Sequence, residues 1–463
     1  MAITIHSLPI ETVEEILLHT DPLDISSISQ CSRFFHLLIN HPPDQHLWRN
    51  LYLIQPLDDP EKCFSPLGIS RLSLGPIDYK SELQAIIRAR TVLEKGSSIC
   101  KPHERVPILR TILNLLLYVP PLQTPADILD AAKLSQNMLW VAAECRKGAL
   151  LDPGTYDWEP TKEEEQLRAR IHTMLGVTPR DWTDDARLDA RAYVYNMGNY
   201  NWANEFGPFL AEEDAVPGVG DAGANKVDWV HVRNLHLNIS MQLLEGFVED
   251  LQGARELMEI FMYPLSFPYT QLIIPPGMNL DTTEDWADVA GEWDVSFCFC
   301  DHHLLMNYNH TNDKSLLVPP FFREEFRTMS IRLHVTKVLP SAKHPTRPTI
   351  YFGGTIERAG TVMSGSVSLT DDEQVRWRFV SGETGNPIWS GEGVQVGGLR
   401  SAFGVLGAWT TIFHDRDDPV GASPSFLSLI PNADVGVLRR TVLVKKAFGD
   451  IVNSLCYVFF ADV

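Results

Sequence analysis

The first 53 residues carry apolar side chains at the spacing of short helices. Pro9 suits the first turn of a helix, and Val13, Ile16 and Leu17 share an apolar face because they lie three and four residues apart. A second helix starts at Asp21, a capping carboxylate that precedes a proline, and Asp44 starts a last turn or two. The pattern predicts three short helices, the second with apolar positions at Ile25, Ile28, Cys31, Phe35 and Leu38.

Helical periodicity continues through the middle of the chain. Thr124-Pro125-Ala126-Asp127 has the composition of a helix start, and we expect that helix to run to Gly148. Thr161 and Glu164 have the spacing of a capping box, which starts another helix that ends before Gly176. These signals predict a mainly helical spacer over residues 54–285. Within it, residues 211–225 are acidic, glycine-rich and without periodicity, which predicts a mobile loop.

After about residue 286 the pattern changes to strict alternation, which is typical of strands with one buried and one wet face. Glycine-rich turns separate the alternating runs, and no helical period intervenes before about residue 415. We therefore predict an α+β chain whose residues 286–421 form an antiparallel β-barrel or sandwich. Residues 422–463 are interpreted as an atypical extension. The clearest alternating positions are Trp293, Val295 and Phe297, then Ile331, Leu333 and Val335, and then Val375, Trp377 and Phe379.

The net charge of the chain limits the kinds of partner that it can bind. The chain has 59 acidic and 39 basic residues, so its net charge is -20. Such a charge repels phosphate backbones, and we expect neither a nucleic acid nor a membrane as partner. We expect proteins.

The cysteines and the N-terminus indicate the compartment. Seven cysteines lie at irregular spacing, which predicts reduced thiols rather than a disulfide framework. The first residues lack the basic start and apolar stretch of a signal peptide. We therefore expect the chain to be cytoplasmic, nuclear or both.

Two short motifs raise the question of a ligand. Cys298-Phe299-Cys300-Asp301-His302-His303 offers zinc-binding residue types, but no second ligand pair follows, so buried cysteines and a polar turn are the favoured interpretation. Gly391, Gly393, Gly397 and Gly398 lack the spacing and the following helix of a dinucleotide loop. We predict no metal, no cofactor and no catalytic residue.

The order and spacing of the N-terminal residues resemble the F-box motif. The matching elements are Leu8-Pro9-x-Glu11, Ile16-Leu17, Asp21-Pro22-Leu23-Asp24-Ile25, Ile28-Ser29-x-Cys31-Ser32-Arg33-Phe34 and Leu47-Trp48-x-x-Leu51. The alternative is an ordinary helical hairpin whose apolar stripes serve only its own core. The resemblance implies that residues 1–53 dock on a Skp adaptor and, through it, on a cullin. Carried over residue by residue, it implies adaptor contacts at Leu8, Pro9, Ile16, Leu17, Leu23, Ile25, Ile28, Cys31, Phe34 and Trp48.

The C-terminal strands are similar to the all-β domain of a group of fungal F-box proteins. The similarity rests on Gly291-Glu292-Trp293, Trp377-Arg378-Phe379-Val380-Ser381-Gly382-Glu383, Gly393-Val394-Gln395-Val396-Gly397-Gly398 and Gly404-Val405-Leu406-Gly407-Ala408-Trp409-Thr410. These resemblances imply a non-catalytic substrate receptor of an SCF-type ubiquitin ligase, which captures an unidentified target protein through its β domain. The alternative is a lipocalin-like or lectin-like protein that holds a small ligand, since Gly291-Glu292-Trp293 is also similar to the lipocalin opening. A hydrolase that uses His302 and His303 is a third alternative.

Overall fold

A computed structural model describes most of the chain, namely residues 5, 8–42, 44–145, 150–151, 158–210, 226–249, 266–318, 322, 324–356, 361–414 and 425–431. As far as they are described, these residues form two compact units: unit 1 from Met1–Pro120 and Ser135–His172, and unit 2 from Pro121–Leu134 and Thr173–Val463. In unit 1 the first helices are grouped with the helices that follow them. The predicted loop over residues 211–225 lies outside the described residues.

Unit 1 begins with four short helices rather than the predicted three: α1 Ile10–Leu18, α2 Pro22–Ile28, α3 Arg33–Asn40 and α4 His46–Leu53. Asp21 caps α2 as predicted, with its carboxylate accepting the Leu23 amide at 2.8 Å. The predicted second helix is divided because Ser32 is itself a cap, and its hydroxyl accepts the Phe35 amide at 3.3 Å. The residues after this cap therefore lie in a separate helix.

The following helices of the chain are α5 Tyr79–Lys95, α6 Arg105–Leu117, α7 Gln136–Cys145 and α8 Lys162–Leu175. The capping box at the start of α8 is confirmed, since Thr161 and Glu164 exchange hydrogen bonds of 2.7 and 3.3 Å. The single helix predicted from Thr124 is wrong. Only the short turn Pro125–Leu129 forms there, and α7 starts later because a buried carboxylate, Asp58, accepts the first amides of that helix.

Unit 2 contains the helices α9 Asp184–Val194, α10 Trp229–Glu249 and α11 His302–Thr311 together with eight strands. All neighbouring strands are antiparallel, and β8 pairs with β1, so the sheet closes into a barrel. This confirms the α+β class and selects the barrel over the sandwich. The strands are β1 Gly291–Cys300, β2 Glu324–Leu339, β3 Thr349–Ile356, β4 Val362–Leu369, β5 Val375–Glu383, β6 Asn386–Gln395, β7 Val405–Thr411 and β8 Ser425–Pro431.

Three details of the β region differ from the prediction. α11 interrupts the strands, because Asp301 caps it through the amides of His303 and Leu304. β8 lies inside the predicted extension, whose residues 422–424 and 432–463 are outside the described part. On β1 both faces are buried, since Asp294 and Ser296 are enclosed as well as their apolar neighbours.

The barrel interior is filled by large side chains that lie over glycines of the next strand. A Cβ atom on Gly365 would clash with the ring of Phe352, and one on Gly391 would clash with the ring of Phe379. Trp377 lies at the same level, with its ring centroid 5.4 Å from that of Phe352. Glycine is required at these strand positions because the aromatic rings occupy the space of a side chain. Among the described residues, no helix has both the length and the apolarity to cross a membrane.

Candidate functional site

The N-terminal helices are held against α5 by contacts around Trp48. Its indole Nε1 donates a 2.9 Å hydrogen bond to the carbonyl oxygen of Ile39. The ammonium of Lys80 in α5 donates to the carbonyl oxygen of Asn40 at 2.9 Å and lies 5.6 Å from the centroid of the Trp48 ring. These contacts enclose the indole, so only 5% of Trp48 is exposed.

A second link connects the start of α2 to α5. The guanidinium of Arg90 donates to both carboxylate oxygens of Asp21, at 2.9 and 3.0 Å. Burial by itself raises the pKa of Asp21, but the Leu23 amide and Arg90 favour the carboxylate more strongly, and the pKa is lowered overall. Asp21 therefore remains ionised as a cap and as an ion-pair partner of α5.

The ten residues predicted as adaptor contacts divide into two groups. Leu17, Ile25 and Trp48 are buried in unit 1 and pack in its core, and their contact with an adaptor stays a prediction. They are enclosed because they lie on the faces that α1, α2 and α4 turn towards each other and towards α5. The others are accessible: Pro9, Ile16, Leu23 and Cys31 are exposed, and Leu8, Ile28 and Phe34 are half-buried.

Two further apolar side chains of this region were missed by the prediction. Ile10 in α1 and Leu37 in α3 are both exposed. Ile10 directly follows the recognised Leu8-Pro9 element, so its place in the motif could have identified it as a contact residue. Leu37 had no such signal, because its orientation depends on the separate start of α3 at Ser32.

A cleft of about 330 Å³ lies beside the exposed Leu23. Leu23 of α2, Trp48 of α4 and Ile87 of α5 line it. The small exposed edge of Trp48 is thus accessible from the same side as Leu23. The cleft offers an apolar recess next to a protruding leucine, which is the kind of surface that a protein partner covers.

The comparison with protein families identifies this region. The model of the F-box domain matches residues 5–46. The chain carries an F-box domain. The matched F-box covers α1 to α3 and reaches the first residue of α4. No curated protein and no solved structure matches the chain. The similarity of the β domain to that of fungal F-box proteins therefore stays a prediction.

The polar motifs of unit 2 have structural roles. Cys298 and Cys300 are buried on β1, and burial raises the pKa of both thiols. Asp301 caps α11, and His302 and His303 are its first residues. Within the described ranges, no three His, Cys, Asp or Glu side chains are grouped so that they could hold a metal ion.

A buried serine and histidine also lie close together in unit 2. The hydroxyl of Ser266 is 2.8 Å from Nε2 of His236, and Nδ1 of His236 is 3.1 Å from a guanidinium nitrogen of Arg233. A guanidinium only donates, so Nδ1 accepts and Nε2 carries the proton. His236 thus donates to Ser266 and cannot take its proton, which is the opposite of what an activated serine requires.

Proposed function

We propose that this F-box protein is a substrate receptor of an SCF-type ubiquitin ligase, in which the F-box binds a Skp adaptor and the barrel binds a target protein. The binding of the adaptor is supported by exposed apolar side chains in the matched domain. Ile16, Leu23 and Leu37 are each between 41 and 48% exposed. Because each of these side chains is already about half buried, covering the remainder with a partner should gain roughly 1 kcal/mol per side chain.

In this role the chain itself performs no chemistry. It holds a target lysine near a ubiquitin thioester that other subunits carry, which raises the effective concentration of the two reacting groups. The adaptor connects the chain to a cullin, and the process takes place in the cytoplasm, the nucleus or both.

The adaptor contact can be tested with substitutions that spare the core. Leu23→Asp and Ile16→Asp place a charge on exposed positions, so the fold is retained while the apolar contact is lost. Leu72→Asp is the matched control, because Leu72 is a 54% exposed leucine of unit 1 outside the F-box. We expect the two F-box variants to bind a purified Skp adaptor at least tenfold more weakly in calorimetry, and the control to bind like the wild type. Equal affinities for all three would refute the proposed contact.

We assign the target protein to the outer face of β2, β3 and β4. Arg332 and His334 on β2, Tyr351 on β3 and Ser364 on β4 are exposed there. On β1, by contrast, the outward residues Asp294, Ser296 and Cys298 are buried. The test is to compare the wild type with Arg332→Ala/Tyr351→Ala, each in complex with the adaptor, for ubiquitylation of co-purified proteins. Loss of ubiquitylated proteins with unchanged adaptor binding supports the assignment. An unchanged set of ubiquitylated proteins contradicts it.

A further inference from the structure

The two ends of the barrel interior differ in how their aromatic side chains pack. At the end where β1 starts, Trp293 and Trp377 lie 5.0 Å apart and both are buried. At the other end, Trp389 of β6 and Trp409 of β7 are only half-buried. The strand register places Phe297, Trp389 and Trp409 on the inward face, because Gly391 pairs with Trp409 and with Phe379.

The aromatic rings at this second end form one cluster. The centroids of Trp389 and Trp409 are 4.5 Å apart, and that of Phe297 is 5.2 Å from Trp409. Phe299 stacks on Phe297 at 6.0 Å, and the guanidinium of Arg327 lies 5.2 Å from the centroid of the Phe299 ring. The rings therefore line a barrel mouth, while the side chains packed over Gly365 and Gly391 close the interior below it.

One polar atom in this cluster is left without a hydrogen bond. The indole Nε1 of Trp409 is buried and has no partner among the residues that the structure describes. By contrast, three other tryptophans of the barrel region, Trp286, Trp293 and Trp377, donate to protein oxygens at 2.8, 2.9 and 3.4 Å. A buried N–H group without an acceptor is unfavourable, so an acceptor atom that reaches Nε1 of Trp409 would restore the missing hydrogen bond.

We propose that the barrel mouth binds a small planar aromatic molecule that carries a carbonyl oxygen. The rings of Trp389, Trp409 and Phe297 supply the apolar and stacking contacts, and Nε1 of Trp409 donates to the carbonyl oxygen. The charges at the rim do not select an ion, because the exposed Arg327 and Glu325 pair with each other at 2.7 Å. The ligand class is therefore a neutral aromatic ketone, aldehyde, ester or amide.

A pair of nearly isosteric probes tests both parts of this proposal. 2-Acetylnaphthalene and 2-ethylnaphthalene share the planar ring system, but only the first has an acceptor. We expect the full-length protein to bind both in calorimetry, and the ketone about fivefold more tightly, which corresponds to one net hydrogen bond. In the protein with ¹⁵N-labelled tryptophan, the indole signal of Trp409 should shift more with the ketone than with the hydrocarbon.

Three variants complete the test. Trp409→Phe keeps an aromatic ring but removes the donor, so the fivefold preference for the ketone should disappear while the hydrocarbon still binds. Trp389→Ala should weaken both probes about tenfold through loss of stacking. Trp202→Phe is the matched control, since Trp202 is 61% exposed and is not part of the cluster.

The proposal is overturned if neither probe binds the wild type, or if Trp409→Phe retains the preference for the ketone. The indole signal is measured on the wild type, so the test does not depend on the stability of the variants. Leu23→Asp should bind both probes normally, which separates this site from the proposed adaptor contact.

Discussion

The carboxylate of Glu324, the first residue of β2, accepts two hydrogen bonds from the guanidinium of Arg191 in α9, at 2.9 and 3.1 Å. Tyr195 of α9 donates its hydroxyl to the same carboxylate at 2.8 Å, and Asn238 of α10 donates its amide at 3.1 Å. Both charged side chains are nearly enclosed. This buried carboxylate therefore fixes two helices of unit 2 to the start of one barrel strand.

Glu324→Gln is expected to lower the free energy of unfolding of unit 2 by about 3 kcal/mol or more, because it leaves the charge of Arg191 buried without its counter-ion. Glu325→Gln is the matched control on the next residue, whose carboxylate is 59% exposed and should contribute less than about 1 kcal/mol. Urea unfolding followed by circular dichroism measures both. Equal midpoints for the two variants would show that the Glu324 contacts do not hold the unit together.

Trp48→Ala is expected to reduce the stability of unit 1 by about 3–5 kcal/mol even in the absence of any adaptor, because a buried indole is removed and its bond to Ile39 is lost. Trp48→Phe should cost less, since it retains most of the apolar volume. Thermal unfolding of the isolated chain measures the effect. If Trp48→Ala left the melting temperature unchanged and only weakened adaptor binding, the indole would act at the interface and not in the core.

Burial lowers the pKa of His231 to about 4. Its value in an unfolded chain is about 6.5, so between pH 6.5 and 4 only the unfolded state binds the proton. Lowering the pH through this window therefore destabilises unit 2, by up to about 3 kcal/mol below pH 4.

This pH dependence can be measured by urea unfolding at several pH values between 4 and 7. His231→Gln should flatten the dependence, although it also changes the contact with Tyr200, whose hydroxyl lies 3.2 Å from the imidazole. His303→Gln is the control, because His303 is exposed at the start of α11. A slope that persists unchanged in His231→Gln would assign the effect to another group.

Gly391→Ala is expected to destabilise the barrel by about 1–3 kcal/mol, because the new methyl group would enter the space of the Phe379 ring. Gly353→Ala is a matched strand glycine on the outer face, where the nearest atom, on Thr336, is 3.4 Å from the added carbon. We expect this control to change the unfolding midpoint little. Equal destabilisation by both would indicate a general intolerance of alanine in these strands rather than the packing of Phe379.

The sequence predicted the F-box from an ordered set of local signals. The cap at Asp21 and the capping box at Thr161 were also predictable, because each acts on amides a few residues further along the chain. α11 was missed although Asp301 is a good cap, since the ten residues that follow lack a clear apolar stripe. The start of α7 was missed for another reason: its cap, Asp58, lies 78 residues away from the Gln136 amide that it accepts.

By itself, then, the sequence determined the helical and strand regions of the chain, though not every element in them, and that the chain carries an F-box. Periods of 3.6 and 2 residues and capping motifs are local properties. The tertiary structure decided that Leu17, Ile25 and Trp48 are enclosed while Ile16 and Leu23 remain open. It also decided the closure of the barrel by β8. The physical reason is that a periodic pattern shows that a face is apolar, but only residues distant in the sequence determine what covers that face.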